Sequence, residues 1–475
     1  MGRMLTTKAL QAPVKPPTAP FSYKPAPMGT VASPPVSAAG SQVQEDTQQT
    51  SPVRKLAFYF GLGFVFVVFS VLAELTYYIT GMNTYVIYFF APAAVLGALF
   101  TGGIGRTLRH RAAWYWLAFY LWMVVGVPFS YWRGGSTPVI YDYARISMTL
   151  LLVVGGLATN WREVRAIFYT VGMAGLVNLL TAGMFSKEEN GRLNMTSSGT
   201  IGNSNDLAAH LLLVLPFMLF ISMDRKRSYF VRYAMLPPIA YGVWTILGTA
   251  SRGALIALSA VFLFMLLRAT FKQRMIAAIS AVVLAAIALT VLPAATLNRL
   301  GTLFGEEHAE AEESTEARSY LFQTSVRYTF EHPIFGVGLG QFQNFEGQTS
   351  VAAGKIGNWH ATHCAWTQVS SECGIPALIF FVLGIGSALL LVYRTWRQAL
   401  ARSFPDIANA CFCYLIAMVG FLIAITFLAN AYRFYLPAMI GLAISMCFVA
   451  KRQMSAKATD IHFPGMIPRQ PIAVR

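Results

Sequence analysis

Charge is scarce in this chain. Only 12% of its 475 residues are Asp, Glu, Lys or Arg, about half the ~25% typical of a soluble domain. A water-covered surface cannot be built over so long a chain from so few charges, which excludes an ordinary soluble enzyme. Cysteine is scarce as well, with five residues and no CxxC pair. Cys411, Cys413 and Cys447 fall inside apolar runs, where cysteine behaves as a small hydrophobe. Cys364 and Cys373 suit a disulfide in an oxidising compartment, but on one helix they would stand too far apart to join. The N-terminal segment has no apolar h-region, so it does not read as a cleaved signal peptide. Position 361 is Ala, which removes an HExxH zinc motif, and "GVGLG" lacks the GxGxxG spacing of a dinucleotide turn.

Long apolar runs are plentiful instead. Hydrophobic residues make up 56% of the chain, and runs of about 18 residues are enough to cross a ~30 Å hydrocarbon core. The pattern predicts an all-α polytopic membrane protein of about twelve spans. They fall near 55–76, 84–102, 112–131, 138–158, 164–185, 206–223, 230–249, 254–270, 275–293, 374–393, 408–429 and 433–450. A cytoplasmic N-terminus puts fifteen Lys or Arg on the short inner loops and their edges, against five on the outer ones. That bias predicts both termini inside. The net charge of +16 is spread between spans rather than gathered on one face, so nucleic acid is not an expected partner.

Two segments differ from the spans. Residues 1–53 hold nine of the 23 prolines, and their polar, Pro-rich composition predicts a disordered cytoplasmic tail. Residues 451–475 form a second cytoplasmic tail. Between spans 1–9 (54–293) and spans 10–12 (374–450) lies a large outer loop, 294–373, and loops of such length are commonly functional. Its acidic start, "GEEHAEAEESTEAR", reads as solvated. "ARSYLFQTSVRYTFEH" has helical spacing and suits the membrane surface. "PIFGVGLGQF" predicts a tight turn joining two helices, and "IGNWHATHCAWTQVSSECGIPALIFF" closes the loop.

The outer ends of the spans carry the chemistry-bearing side chains. Arg252 lies in "GTASRGALIAL", flanked by Ser and Gly where a backbone can approach closely. Arg192 and Asn205 lie in "NGRLNMTSSGTIGNSNDLAAH", and Arg318 and Arg327 lie in the large loop. Arginines converging on one face suit an anionic ligand, because guanidinium binds phosphate bidentately and stays charged. Arg327 reads as an interfacial anchor. His360, His363 and Cys364 are a conceivable metal set, but no spaced acidic partner accompanies them. On a helix, Trp359 and Trp366 would flank His363 at i−4 and i+3, framing a sugar hydroxyl beside a general base. A transporter would need polar groups near the midplane and internal repeats. Glu74, Asp142 and Arg145 instead sit near span ends, and no repeat is found.

Four pieces together resemble the bacterial O-antigen ligase and polymerase superfamily. "HCAWTQVSSECGIPALIFF" is similar to the pattern H-N-x-x-L-x-x-x-x-E-x-G-x-x-G-L through His363, Glu372, Gly374 and Leu378, departing from it at Cys364, Thr367 and Ala377. "ARSYLFQTSVRYTFEHPIFGVGLGQF" resembles R-x-x-x-W…P-x-x-G-x-G-x-x-x-F through Arg318, Pro333, Gly336, Gly338 and Phe342, with Phe322 at the usual Trp. "SRGALIAL" and "GNSNDLA" match two further elements. The resemblance spans roughly residues 55–450. It implies a glycosyltransferase of GT-C-like fold that needs no metal or cofactor. The donor would be a glycan on undecaprenyl diphosphate and the acceptor a glycan, lipid or protein hydroxyl, joined with inversion at the periplasmic face of a bacterial inner membrane. His363, Arg252 and Arg318 would be catalytic; Arg192, Asn205, Trp359, Trp366, His360 and Glu372 would bind substrate. Whether finished chains are ligated or repeat units polymerised stays open, with ligation favoured.

Overall fold

The computed structural model describes residues 51–189, 191–195, 199–268 and 309–462, with scattered positions from 271 to 290. The Pro-rich tail, most of the ninth expected span, the start of the large loop and the last thirteen residues lie outside the described residues. What is described is helical, apart from one antiparallel hairpin, β1 (Ser186–Glu189) and β2 (Arg192–Met195).

The helices are α1 (Pro52–Phe69), α2 (Leu72–Thr80), α3 (Val86–Phe100), α4 (Gly103–Leu108), α5 (Arg111–Gly126), α6 (Arg133–Asp142), α7 (Thr149–Leu157), α8 (Trp161–Phe185) and α9 (Ser204–Met223). After them come α10 (Tyr229–Ala234), α11 (Leu236–Gly248), α12 (Arg252–Arg268), α13 (Ala309–Glu331), α14 (Phe342–Ala352), α15 (Ala365–Ala401), α16 (Pro405–Ile425) and α17 (Tyr435–His462). Among the described residues, 8 helical stretches are long and apolar enough to cross a membrane. That makes a multi-pass membrane protein. Of the other expected spans, Val86–Phe100 has 15 residues and Leu236–Gly248 has 13, shorter than their apolar runs suggest; Arg252–Arg268 has 17 and is followed by residues outside the described ones.

Helix starts follow local chemistry. Asn160 and Asn203 stand in extended backbone before α8 and α9, and their side chains accept from the Glu163 and Asp206 amides at 3.0 and 2.9 Å. Pro52 and Pro405 open α1 and α16 at the one place where the missing N–H costs nothing. α9 is buried along most of its length between α8 and α16.

Two buried ion pairs escape a hydropathy reading. Arg54, 0% exposed, holds both oxygens of Glu163 at 2.8 and 2.9 Å and donates to the Leu157 carbonyl at 2.9 Å. Arg165 donates to Asp224. Both pairs are enclosed because each charge finds its partner across the bundle.

α15 is the element that frames the site. Its 37 residues would run roughly 55 Å at 1.5 Å each, longer than a bilayer core, and the helix breaks at Gly374 (φ 84, ψ 173). The sequence boundary between loop and span at 373/374 thus marks a kink inside one helix. The "PIFGVGLGQF" turn satisfies the backbone groups that the kink frees. Val337 and Gly338 donate to the Ser371 and Glu372 carbonyls at 2.8 and 2.9 Å. The Ile375 amide donates to Pro333 O at 2.8 Å, and Trp122 Nε1 donates to Cys373 O at 3.1 Å. Irregular backbone within an apolar bundle persists only when so paired. The expected tight turn is therefore present, with Gly336, Gly338 and Gly340 all at positive φ.

A Cβ on Gly374 would land on the Ile334 carbonyl. Gly374→Ala should therefore cost more than the roughly 1–2 kcal/mol of a left-handed alanine alone. Thermal unfolding in detergent should show a lower midpoint, and an unchanged midpoint would refute this account of the kink.

Candidate active site

The described part of the large loop, from Ala309, packs onto α15. α13 buries Leu321 and Tyr328 against Val337 and Phe342, and its Thr329 hydroxyl meets Ser370 Oγ at 2.8 Å. Only part of the apolar stripe is used in that packing, and Phe322 and Phe330 remain exposed. Docking α13 on α15 fixes where Arg318, one turn before Leu321, can reach.

His363 is not on a helix. α15 begins only at Ala365, and His363 and Trp359 have left-handed backbones, φ 53 and 51. Such residues cannot continue a right-handed helix. The expected frame of Trp359 and Trp366 about the imidazole therefore does not form. Trp359 covers Gly347, where a Cβ would strike its ring. Trp366 donates from Nε1 to Thr426 Oγ1 at 3.1 Å and sets its ring edge-on to Phe381.

The irregular stretch before His363 is held by a buried carboxylate that motif reading missed. Glu346, on α14, is 0% exposed. It accepts from the Asn358 and Trp359 amides at 3.1 and 3.2 Å, from Tyr320 on α13 at 3.2 Å and from Ser350 at 2.9 Å. One residue thus ties α13, α14 and the histidine loop together. Its sequence signal is that no other charged residue stands between His332 and Lys355. Glu346→Gln keeps the size but turns one of the two acceptor oxygens into a donor, a change of roughly 1–3 kcal/mol. We expect a lower unfolding midpoint together with impaired transfer; wild-type values for both would remove Glu346 from the site's support.

His363 is half-buried. Burial, then the Arg318 charge, then His360 push its pKa down to about 4. At neutral pH the ring is uncharged, with a nitrogen lone pair to accept a proton. His360 itself is exposed.

Arg318 also lines a small cavity with Asn205, Ser251, Gly253, Ala254, Phe427 and Leu428. Arg252 stands between two of these lining residues at the first position of α12. Ala250 turns the chain into that helix with φ 46, and Ser251 Oγ accepts from the Ala254 amide at 3.4 Å. Gly253 is required there, since a Cβ would meet Phe427 at 2.7 Å. Asn205, in the first turn of α9, accepts from Arg192 Nη2 at 2.6 Å, and Arg192 Nε donates to Thr249 O at 3.3 Å. The hairpin β1–β2 carries Arg192 to this point. Helix N-termini and cationic side chains from the hairpin, α9, α12 and α13 thus meet at one end of the bundle, an arrangement that favours anions.

Glu372 is placed differently. Its carboxylate is buried and accepts from the Gly340 and Phe342 amides at 2.9 and 3.3 Å. It braces the turn against the helix break. Arg327 pairs with Glu331 at 3.7 Å on the exposed face of α13, in keeping with a surface role.

Residues 237–382 match the model of a family described as O-antigen ligase. That stretch is narrower than the 55–450 of the sequence resemblance; it contains Arg252, Arg318, His360 and His363 but not Arg192 or Asn205. No curated protein matches the chain. Over this stretch the chain is similar to the O-antigen ligase family.

Proposed function

We propose that the protein transfers a glycan from undecaprenyl diphosphate to an acceptor hydroxyl at the periplasmic face of a bacterial inner membrane, inverting the sugar carbon and using no metal. The observation that carries this reading is that Arg318, whose charge acts on His363, lines one small cavity with Asn205 and Ser251, and Arg192 bonds to that Asn205.

In this mechanism the acceptor oxygen attacks the anomeric carbon from the face opposite the diphosphate. The acceptor proton passes to the His363 ring nitrogen, and the C–O bond to phosphate breaks with its electron pair leaving on the diphosphate. Negative charge grows there as the bond opens. Arg318 and Arg252 stabilise that charge most at the transition state, which is what raises the rate. Arg192 and Asn205 are one hydrogen-bonded unit and would contact donor or acceptor together. His360 is an exposed contact at the acceptor side. Trp359, Trp366 and Glu372 act in this reading by shaping the loop rather than by touching substrate.

The deciding experiment compares surface glycans in a deletion strain complemented with wild type or with His363→Ala. Full-length lipid-linked chains accumulating without acceptor would support ligation. Arrest at single repeat units would assign polymerisation to the same residues. Normal glycan in the variant would overturn the mechanism and return attention to transport.

A further inference from the structure

The end of the bundle opposite His363 holds a second polar cavity. α17 starts beside the site layer, where the Ala431 amide donates to Gln368 on α15 at 3.2 Å, and its far end reaches this cavity through Val449, Arg452, Gln453 and Ala456. The space is about 820 Å³ and is also lined by Lys55, Tyr59, Arg162, Glu163 and Lys226. Four cations thus face it from α1, α8, the α9–α10 connection and α17. Its one carboxylate, Glu163, is already neutralised by the two-pronged bond from buried Arg54. Lys226 has only a loose exposed partner, Asp406, at 3.6 Å.

An independent observation points to a ligand. Trp161 lines the cavity and is 7% exposed, yet its indole N–H meets no acceptor among the described residues. Leaving a buried donor unmet is costly; the indole nitrogen is itself enclosed, and a shift of the ring would bring it to a phosphate oxygen in the cavity. The N-termini of α1 and α8 end here as well, adding to the positive potential. The rim of the cavity also suits acyl chains. On α1, Val53, Leu56 and Tyr59 are 58%, 60% and 67% exposed, an apolar surface continuous with the cavity through Tyr59.

We infer that this cavity binds the phosphate headgroup of an anionic glycerophospholipid, with the acyl chains along α1. Basic pockets between membrane helices hold such headgroups by charge, and an interfacial tryptophan adds a directed hydrogen bond. The site is separate from the transfer chemistry and stands whether or not that reading holds.

Native mass spectrometry of the full chain in neutral detergent tests it, with phosphatidylglycerol and phosphatidylcholine as probes. Arg162→Gln with Arg452→Gln should weaken phosphatidylglycerol binding at least tenfold and leave phosphatidylcholine unchanged. A control pair outside the cavity, Arg394→Gln with Arg397→Gln, should behave as wild type. Trp161→Phe keeps an aromatic ring while removing the donor and some volume, so it should weaken binding about threefold even if the double variant folds poorly. Equal binding by wild type and both cavity variants would overturn the proposal. So would an equal loss in the control pair, or displacement of the lipid by inorganic phosphate at matched concentration, which would mark a free-anion site.

Discussion

Replacing His363 by Ala should lower the transfer rate by roughly 10²–10⁴-fold, the usual contribution of a positioned general base. Initial rates with a lipid-linked donor and purified full-length protein give the number. The pH dependence makes the test specific. Burial and the Arg318 charge hold the His363 pKa at about 4, so the base is already in its active, neutral form at pH 7. The rate should therefore be flat in this group from about pH 6 to 8 and fall only as pH drops towards the lowered pKa. An ordinary exposed histidine, titrating near 6.5, would put the fall two units higher. An acid limb near 6.5 would overturn the lowered pKa, and a limb that survives unchanged in the alanine variant would mean that His363 is not the base.

Arg318→Gln should cost roughly 10²–10³-fold, by analogy with losing one preorganised donor to a developing oxyanion. It should also move the acid limb of the pH profile. Arg318 is the second cause of the lowered His363 pKa, after burial. Removing its charge lets the pKa rise, so the limb shifts towards neutrality. Burial is the larger cause and remains, so the limb should stop short of 6.5. Arg318→Lys keeps the charge, should leave the limb in place and should recover only part of the rate, because an ammonium cannot match the guanidinium fork. A rate loss with no shift of the limb would separate Arg318 from His363 and sink the arrangement proposed for them.

The class of this protein was legible without coordinates, because a bilayer sets a crude criterion. Long apolar runs, few charges and basic loop edges report on transfer into hydrocarbon, and that depends on composition rather than on contacts. The glycine turn was legible for a similar reason, since three glycines within five positions permit a left-handed path that other residues resist. His363, Arg318, Arg252, Arg192 and Asn205 were legible as polar groups near the ends of apolar runs.

Other features were settled only by the fold. Helical spacing assigned Trp359 and Trp366 to the histidine, but spacing has meaning only where a helix exists. Here a left-handed His363 ends that premise, and Glu346 supplies the loop's order through contacts from three elements. That Glu372 accepts from the amides of Gly340 and Phe342 was likewise visible only in the fold. Arg54 and Arg165 sat where hydropathy gives no hint of burial, since their partners lie 109 and 59 residues along the chain. Composition reports the solvent a segment prefers; which charged group meets which is decided by packing between segments far apart in sequence, and for that the tertiary structure was needed.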